Sequence, residues 1–169
     1  MSQYGPVSAV CQVIYSVPDI FPILCRHKFH KHISGMGQCT YFPGIQKFPP
    51  ILRRAQLAGR NESGTVTIIT DILCEVFGYD KYEEITSELC IKQQFCDIAV
   101  RLHGKVRLLM ECKAVGVALR EGHVLQASSY AANSGIDWVV LTNGITWRIY
   151  QVLFGKPVET VLVCEFNFC

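Results

Sequence analysis

The clearest pattern of apolar and polar positions in this 169-residue chain lies on either side of His103-Gly104. A His-Gly pair between two apolar runs predicts a tight turn, so residues 96–102 and 106–113 are predicted to form a β-hairpin. If paired residue numbers sum to about 208, one side of the hairpin is wholly apolar. Its predicted pairs are Ile98 with Met110, Val100 with Leu108, and Leu102 with Val106.

The other side of this hairpin carries charged side chains. Asp97 falls opposite Glu111, and Lys113 shares their side because side chains alternate along a strand. Two directly opposed carboxylates repel each other, and a divalent cation between them would remove that repulsion. The pattern alone leaves two interpretations open, a metal site or a solvated face with an ordinary surface ion pair.

Periodicity elsewhere predicts helices and strands on both sides of the hairpin. Helical spacing of apolar residues predicts helices over 50–58, 61–77 and 119–133, with Gly78 and Gly135 ending the last two. Further strands are predicted over 85–91, 138–142, 146–152 and 158–166. Trp138 and Trp147, on either side of the Asn143-Gly144 turn, are interpreted as core residues rather than base-stacking ones. The order of elements predicts an α/β fold with a mixed central β-sheet flanked by helices.

Composition restricts the class of protein. Half of the residues are hydrophobic and 18% are charged, which is typical of a globular domain, and a net charge of +2 indicates no general basic surface. Nine scattered cysteines without scaffold spacing favour a reducing, cytoplasmic setting. Cys96 and Cys112 would be cross-strand neighbours that air oxidation could link. No segment is typical of a signal peptide or a membrane span, so no membrane partner is expected.

Residues 1–47 differ from the rest because they lack sustained periodicity. We predict an N-terminal extension of unknown structure over 1–47 and a single domain over 48–169. The extension contains a cluster that could suggest zinc, although its spacing fits no common zinc module: Cys25, His27, His30, His32 and Cys39. With its neighbouring basic residues, the same stretch could instead be an arm that contacts phosphate, or a segment without fixed structure.

An ordered set of phrases resembles the PD-(D/E)XK nuclease superfamily, and more narrowly the N-terminal nuclease domain of type I restriction enzyme R subunits. The phrases are TVTIITDILCEVFGYDKYEEITSE, CDIAVRL, LLMECKA, QASSYAAN and DWVVLTNGITWRIY. A lone acid followed by Glu-x-Lys is a weak signal, whereas the ordered set is more specific. The resemblance implies a restriction-endonuclease-like core and Mg²⁺-dependent hydrolysis of DNA, with Mn²⁺ as a substitute.

The resemblance also implies roles for individual residues. Asp97, Glu111 and the carbonyl of Cys112 would hold Mg²⁺, which prefers oxygen ligands. Lys113 would orient the attacking water or help to deprotonate it. Gln126 and Tyr130, one helical turn apart, would support the lysine or the DNA backbone. The superfamily often adds an acid from the first helix, for which the candidates are Glu62, then Glu75 and Glu88.

Three features depart from the family's pattern. Cys96 stands where a proline is usual, Cys112 occupies the middle of the Glu-x-Lys triplet, and residues 1–47 match no part of the family. No phosphate-binding G-x-x-x-x-G-K-[ST] motif occurs, so no ATP-driven translocation is expected from this chain.

The expected function is a DNA endonuclease with a role in restriction or defence. One alternative is a catalytically silent module that binds DNA or a subunit, and a weaker one is a regulatory partner acting through residues 1–47. Expected partners are DNA, other restriction-system subunits and a second copy of the chain.

Overall fold

A six-stranded sheet forms the centre of the computed structural model, which describes residues 19–24, 44–91 and 94–168. The strands lie in chain order: β1 (Ile85–Ile91), β2 (Gln94–Leu102), β3 (Lys105–Cys112), β4 (Trp138–Thr142), β5 (Thr146–Leu153) and β6 (Glu159–Asn167). Neighbouring strands are antiparallel except β3 and β4, which are parallel. The predicted mixed sheet is therefore confirmed.

Helices cover the sheet and make its one parallel connection. They are α1 (Phe21–Leu24), a 3₁₀ turn (Ile45–Lys47), α2 (Phe48–Leu57), α3 (Glu62–Glu75) and α4 (Glu121–Ser134). Parallel neighbours need a crossover, and α4 supplies it between β3 and β4. Helix α2 begins two residues before its predicted start, because a proline is tolerated in the first turn of a helix.

The β2–β3 hairpin follows the predicted register only in part. Pairing sums to 208 from Ile98–Met110 to Val100–Leu108, but after a bulge Leu102 pairs with Lys105. His103 (φ 52°) and Gly104 (φ 77°) form a two-residue turn, which forces this closer pairing, and the bulge absorbs the one-residue difference. The predicted pair of Leu102 with Val106 was wrong.

Two hydrophobic clusters occupy opposite faces of the sheet. The larger cluster contains Ile98 and Met110 and packs under α2 and α3. The smaller cluster contains Ala99 and Leu109 and packs under α4. Alternate residues of one hairpin thus serve different clusters, as the alternation predicted. Both tryptophans are buried in the larger cluster, which confirms their interpretation as core residues.

Helix α3 begins and ends with local signals that were visible in the sequence. The Asn61 side chain caps it by accepting the Gly64 N–H at 3.0 Å, which places Glu62 in the first turn. Gly78 (φ 82°) follows its C-terminal end, where the Tyr79 N–H donates to the Leu73 carbonyl at 3.1 Å. The position of Glu62 therefore depends on this cap.

The described residues before position 48 pack against the domain. Ile20, Ile23, Leu24 and Ile45 are buried in the larger cluster. The boundary near residue 47 stays a prediction. The candidate zinc cluster, Cys25 to Cys39, lies outside the described residues. Within the part of the chain that the structure describes, no helix is long and apolar enough to cross a membrane.

Replacing Gly144 by alanine is expected to destabilise the fold by more than the same change at Gly104. Both glycines have positive φ, at 86° and 77°, so alanine is strained by about 1–2 kcal/mol at either position. At Gly144 the added Cβ would also lie 2.7 Å from Cδ2 of the buried Leu52. Such overpacking adds roughly 1–3 kcal/mol. Urea unfolding of both variants measures the difference, and equal losses would contradict it.

Candidate active site

Asp97 and Glu111 lie side by side at one end of the β2–β3 hairpin. The pairing of Ile98 with Met110 brings these two acids next to each other, as predicted. Asp97 accepts the Cys112 backbone N–H through Oδ2 at 2.6 Å. Glu111 is largely buried, with 10% of its side-chain surface exposed. A carboxylate is costly to bury, so this position needs compensating partners.

Lys113 supplies the compensating charge. Its Nζ lies 2.7 Å from Glu111 Oε1 and 3.4 Å from Glu62 Oε2. The first-helix acid that was only a candidate in the sequence is therefore in contact with the predicted lysine. Of its rivals, Glu75 pairs with Lys47 at 2.6 Å, and the side chain of Glu88 lies outside the described part of the structure.

Two backbone contacts hold Lys113 and the loop that follows it, one with strand β4 and one with helix α3. The Lys113 N–H donates to the Thr142 carbonyl on β4 at 2.8 Å, which continues the β3–β4 pairing past the end of β3. The Val115 N–H donates to Thr65 Oγ1 at 3.1 Å. Thr65 is buried in the first part of α3, so this bond ties the loop after β3 to the helix that carries Glu62.

Burial and charge shift the pKa values of the pair formed by Glu111 and Lys113. Burial raises the pKa of the Glu111 carboxyl, the hydrogen bond from Lys113 lowers it, and the charge of Asp97 raises it further, with a net increase. Burial acts to lower the pKa of Lys113, but its contacts with Glu111 and Glu62 outweigh burial and raise it. The structure therefore favours a charged Lys113.

A cleft of about 540 Å³ opens beside these acids, between α3 and the β1–β2 edge of the sheet. Asp97 and Glu62 both line it. Its other lining residues are Ser63, Val66, Thr67, Thr70, Lys81 and Ser87. The candidate site is thus open to a solute approaching along the cleft.

The residues at the site fit a hard divalent cation in chemical type. Asp97 and Glu111 offer carboxylate oxygens, and the predicted third ligand at Cys112 is a backbone carbonyl, a set suited to Mg²⁺. The Cys112 side chain is fully buried in the larger cluster, so only its backbone is available. Among the described residues, no three His, Cys, Asp or Glu side chains are grouped closely enough to form a metal site by themselves.

The family described as type I restriction enzyme R protein N terminus (HSDR_N) matches residues 67–160, which is more than half of the chain. The chain belongs to this family. The chain matches no curated protein and no solved structure. The family match includes Asp97, Glu111 and Lys113, whereas Glu62 precedes it. Membership relates this HSDR_N domain to restriction systems, and the resemblance to the PD-(D/E)XK superfamily is consistent with it.

The other two predicted site residues of the HSDR_N domain lie on α4. Tyr130 is buried in the smaller cluster, and Gln126 is exposed. Within the described part of the chain, Gln126 makes no hydrogen bond with Asp97, Glu111 or Lys113. The predicted roles of Gln126 and Tyr130 stay predictions.

Thr65 and Asn143 position the site of this HSDR_N domain and were missed in the sequence. Asn143 Nδ2 donates to the Val117 carbonyl at 2.9 Å, while its Oδ1 accepts the Thr146 N–H at 2.8 Å. It therefore ties the loop after β3 to the β4–β5 turn. Asn143-Gly144 signalled a turn in the sequence, but no local motif indicated these longer contacts.

Cys96 and Cys112 are unbridged thiols in different clusters. Cys96 Sγ lies 3.1 Å from the Met110 carbonyl, whereas Cys112 packs into the larger cluster on the other face of the sheet. The two thiols still lie near enough for the charge of a Cys96 thiolate to contribute, after burial and Asp97, to the raised pKa of Cys112. That air oxidation could link them stays a prediction.

Cys96 is expected to resist alkylation in the native protein. Burial raises its pKa to about 12, against an ordinary value of 9.0. At neutral pH the fraction of Cys96 in the reactive thiolate form is therefore roughly a thousandth of that of an exposed cysteine. Cys164, which is only partly buried, serves as an internal comparison. Iodoacetamide labelling with peptide mass spectrometry, in buffer and in urea, measures both rates. Native labelling of Cys96 as fast as in urea would contradict the expectation.

Proposed function

We propose that this HSDR_N domain is a divalent-metal-dependent nuclease that hydrolyses phosphodiester bonds of DNA in a restriction-related role. The observation that carries the proposal is the buried Glu111 carboxylate, which adjoins Asp97 and is bonded to Lys113 at 2.7 Å. The single ammonium of Lys113 offsets only one of the negative charges of Glu62, Asp97 and Glu111, and a divalent cation would offset the others. The open cleft beside it, which Asp97 lines, would give a substrate strand access to the site.

The residues of the chain would divide the work of hydrolysis. Asp97, Glu111 and the carbonyl of Cys112 would hold Mg²⁺ or Mn²⁺, which when bound neutralises the phosphate and lowers the pKa of a coordinated water. Lys113 would donate its N–H groups to the attacking water or to a phosphate oxygen, offsetting negative charge in the transition state. Glu62 would keep the lysine in place from the start of α3.

A cleavage assay tests the proposal. The purified chain is incubated with plasmid and single-stranded DNA in Mg²⁺ or Mn²⁺, with and without EDTA. The expected result is cleavage that EDTA abolishes and that Glu111→Gln lowers by about 10²-fold or more. Glu75→Gln is the matched control, since Glu75 also pairs with a lysine but at the far end of α3. It is expected to leave cleavage unchanged.

The absence of cleavage by the wild-type chain on every form of DNA would overturn the proposal. Salt-dependent DNA binding that is indifferent to Mg²⁺ and to Glu111→Gln would then support the catalytically silent binding module. Cleavage that survives Glu111→Gln would instead show that the site lies elsewhere in the chain.

A further inference from the structure

The cleft beside the candidate active site contains a cation that the hydrolysis mechanism does not use. Among the described residues that line the cleft, Lys81 is the only basic one, and it is accompanied by two acids, Glu62 and Asp97. A nucleic-acid strand carries a negative charge at every phosphate. A strand in this cleft would be repelled by the acids, so an opposing positive charge is needed along its path.

A hydrogen-bonded turn presents Lys81 to the cleft. The Asp80 side chain accepts the backbone N–H groups of Tyr82 and Glu83 through Oδ1, at 2.8 and 2.9 Å. The Asp80 N–H in turn donates to Glu84 Oε2 at 3.0 Å. These carboxylates are occupied in holding the backbone of the turn, and the backbone at Lys81 is fixed while its side chain extends from it.

The present partner of Lys81 is weakly held. Its Nζ lies 3.5 Å from Asp71 Oδ1, and about half of each side chain is exposed, at 50% and 43%. Exposed ion pairs of this kind contribute about 0–1 kcal/mol. The ammonium can therefore move from Asp71 to a phosphate at little cost.

Hydroxyl groups line the same cleft. Ser63 on α3 and Ser87 on β1 are exposed at its walls, where a hydroxyl can donate to a phosphate oxygen. Phosphate contacts from lysine and serine position a strand without reading its sequence. The polar side chains of the cleft are thus suited to a nucleic-acid backbone.

We infer that Lys81 is a substrate-binding residue whose ammonium contacts a phosphate of the nucleic-acid strand other than the phosphate that is cleaved. The inference rests on the proposed function, because it takes Asp97 and Glu111 as the place of cleavage. The strand would run along α3, from the carboxylates near its start to the turn that carries Lys81, beside Asp71.

Two measurements on the full chain test this inference. The first is the equilibrium affinity for fluorescein-labelled 30-nucleotide single-stranded and duplex DNA in Ca²⁺, over a range of salt concentrations. Lys81→Ala is expected to weaken binding and to reduce the slope of log affinity against log salt by about 1, the loss of one phosphate contact. The second is steady-state cleavage in Mg²⁺, in which Lys81→Ala is expected to raise KM with little change in kcat.

Two further variants separate a substrate contact from an effect on folding. Lys47→Ala removes a lysine of similar exposure, 52%, that also pairs with an acid on α3 but does not line the cleft. It is expected to leave both the salt slope and KM unchanged. Lys81→Arg keeps the charge and is expected to restore most of the salt slope.

The possible outcomes distinguish this inference from the proposed function. Cleavage by the wild type with an unchanged salt slope and KM in Lys81→Ala would overturn the inference and leave the nuclease standing. A reduced slope without any cleavage would support Lys81 as a strand contact and count against the nuclease. Equal effects of Lys47→Ala and Lys81→Ala, or no DNA binding at all, would overturn the inference.

Discussion

Lys113→Ala is expected to lower kcat for Mg²⁺-dependent DNA cleavage by about 10²- to 10⁴-fold, the usual contribution of a positioned proton-transfer or charge-stabilising group. The ammonium lies 2.7 Å from Glu111 and 3.4 Å from Glu62, at the end of β3. Alanine removes the positive charge from that point, so nothing from the side chain would offset the charge that develops on the phosphate.

The structural consequences of this change have to be measured separately from catalysis. Removing Lys113 leaves the largely buried Glu111 without its ion-pair partner, which also destabilises the fold. Lys113→Arg keeps a positive charge and is expected to remain folded, yet to cleave slowly, because a guanidinium differs in shape and does not release its proton. Thermal unfolding by circular dichroism is measured beside kcat. Full activity in a folded Lys113→Ala protein would contradict the assigned role.

Trp147→Ala is expected to have the largest effect on stability, a loss of about 3–5 kcal/mol in the free energy of unfolding. Trp147 is fully buried on β5 and packs against Phe77, Phe166 and Phe168, with ring centroids 5.6–6.0 Å apart. Its indole N–H also donates to the Gly144 carbonyl at 2.9 Å. Alanine removes the aromatic packing and the hydrogen bond together.

Trp147→Phe divides this loss into its two parts. Phenylalanine keeps an aromatic ring in the larger cluster but cannot donate to the Gly144 carbonyl. Trp147→Phe is therefore expected to lower the free energy of unfolding by about 1–3 kcal/mol. Urea unfolding gives the free energies, and for a domain of this size Trp147→Ala is expected to lower Tm by roughly 6–20 °C. A smaller loss for alanine than for phenylalanine would show that ring packing is not what Trp147 contributes.

The hairpin at the centre of the candidate site was predictable because the sequence features that specify it lie within the hairpin itself. Alternating apolar and polar positions, with a His-Gly turn between them, are enough to place Asp97 beside Glu111. The predicted bounds of β1 and β4 match the structure for the same reason. Local patterns also predicted that α3 ends before Gly78, where a positive φ favours glycine, although the helix ends at Glu75, two residues before its predicted end.

The bulge in the hairpin was not predictable from the same pattern. The two-residue turn at His103-Gly104 requires paired residue numbers that sum to 207, whereas the apolar pairs require a sum of 208. The sequence does not indicate at which residue a bulge accommodates this difference. The structure places it between Val100 and Arg101, so Val106 packs on the smaller cluster instead of opposing Leu102.

By itself, the sequence determined the α/β class, the order of the elements and the pairing of two acids on one face, because each depends on spacing within a few residues. Only the tertiary structure decided that Glu62 meets Lys113, 51 residues later in the chain, and that Lys81 lines the same cleft as Asp97. These approaches depend on how α3 docks against the loop after β3, through Thr65 and the larger cluster. Docking is a sum of many weak contacts between distant segments, and no single stretch of sequence specifies it.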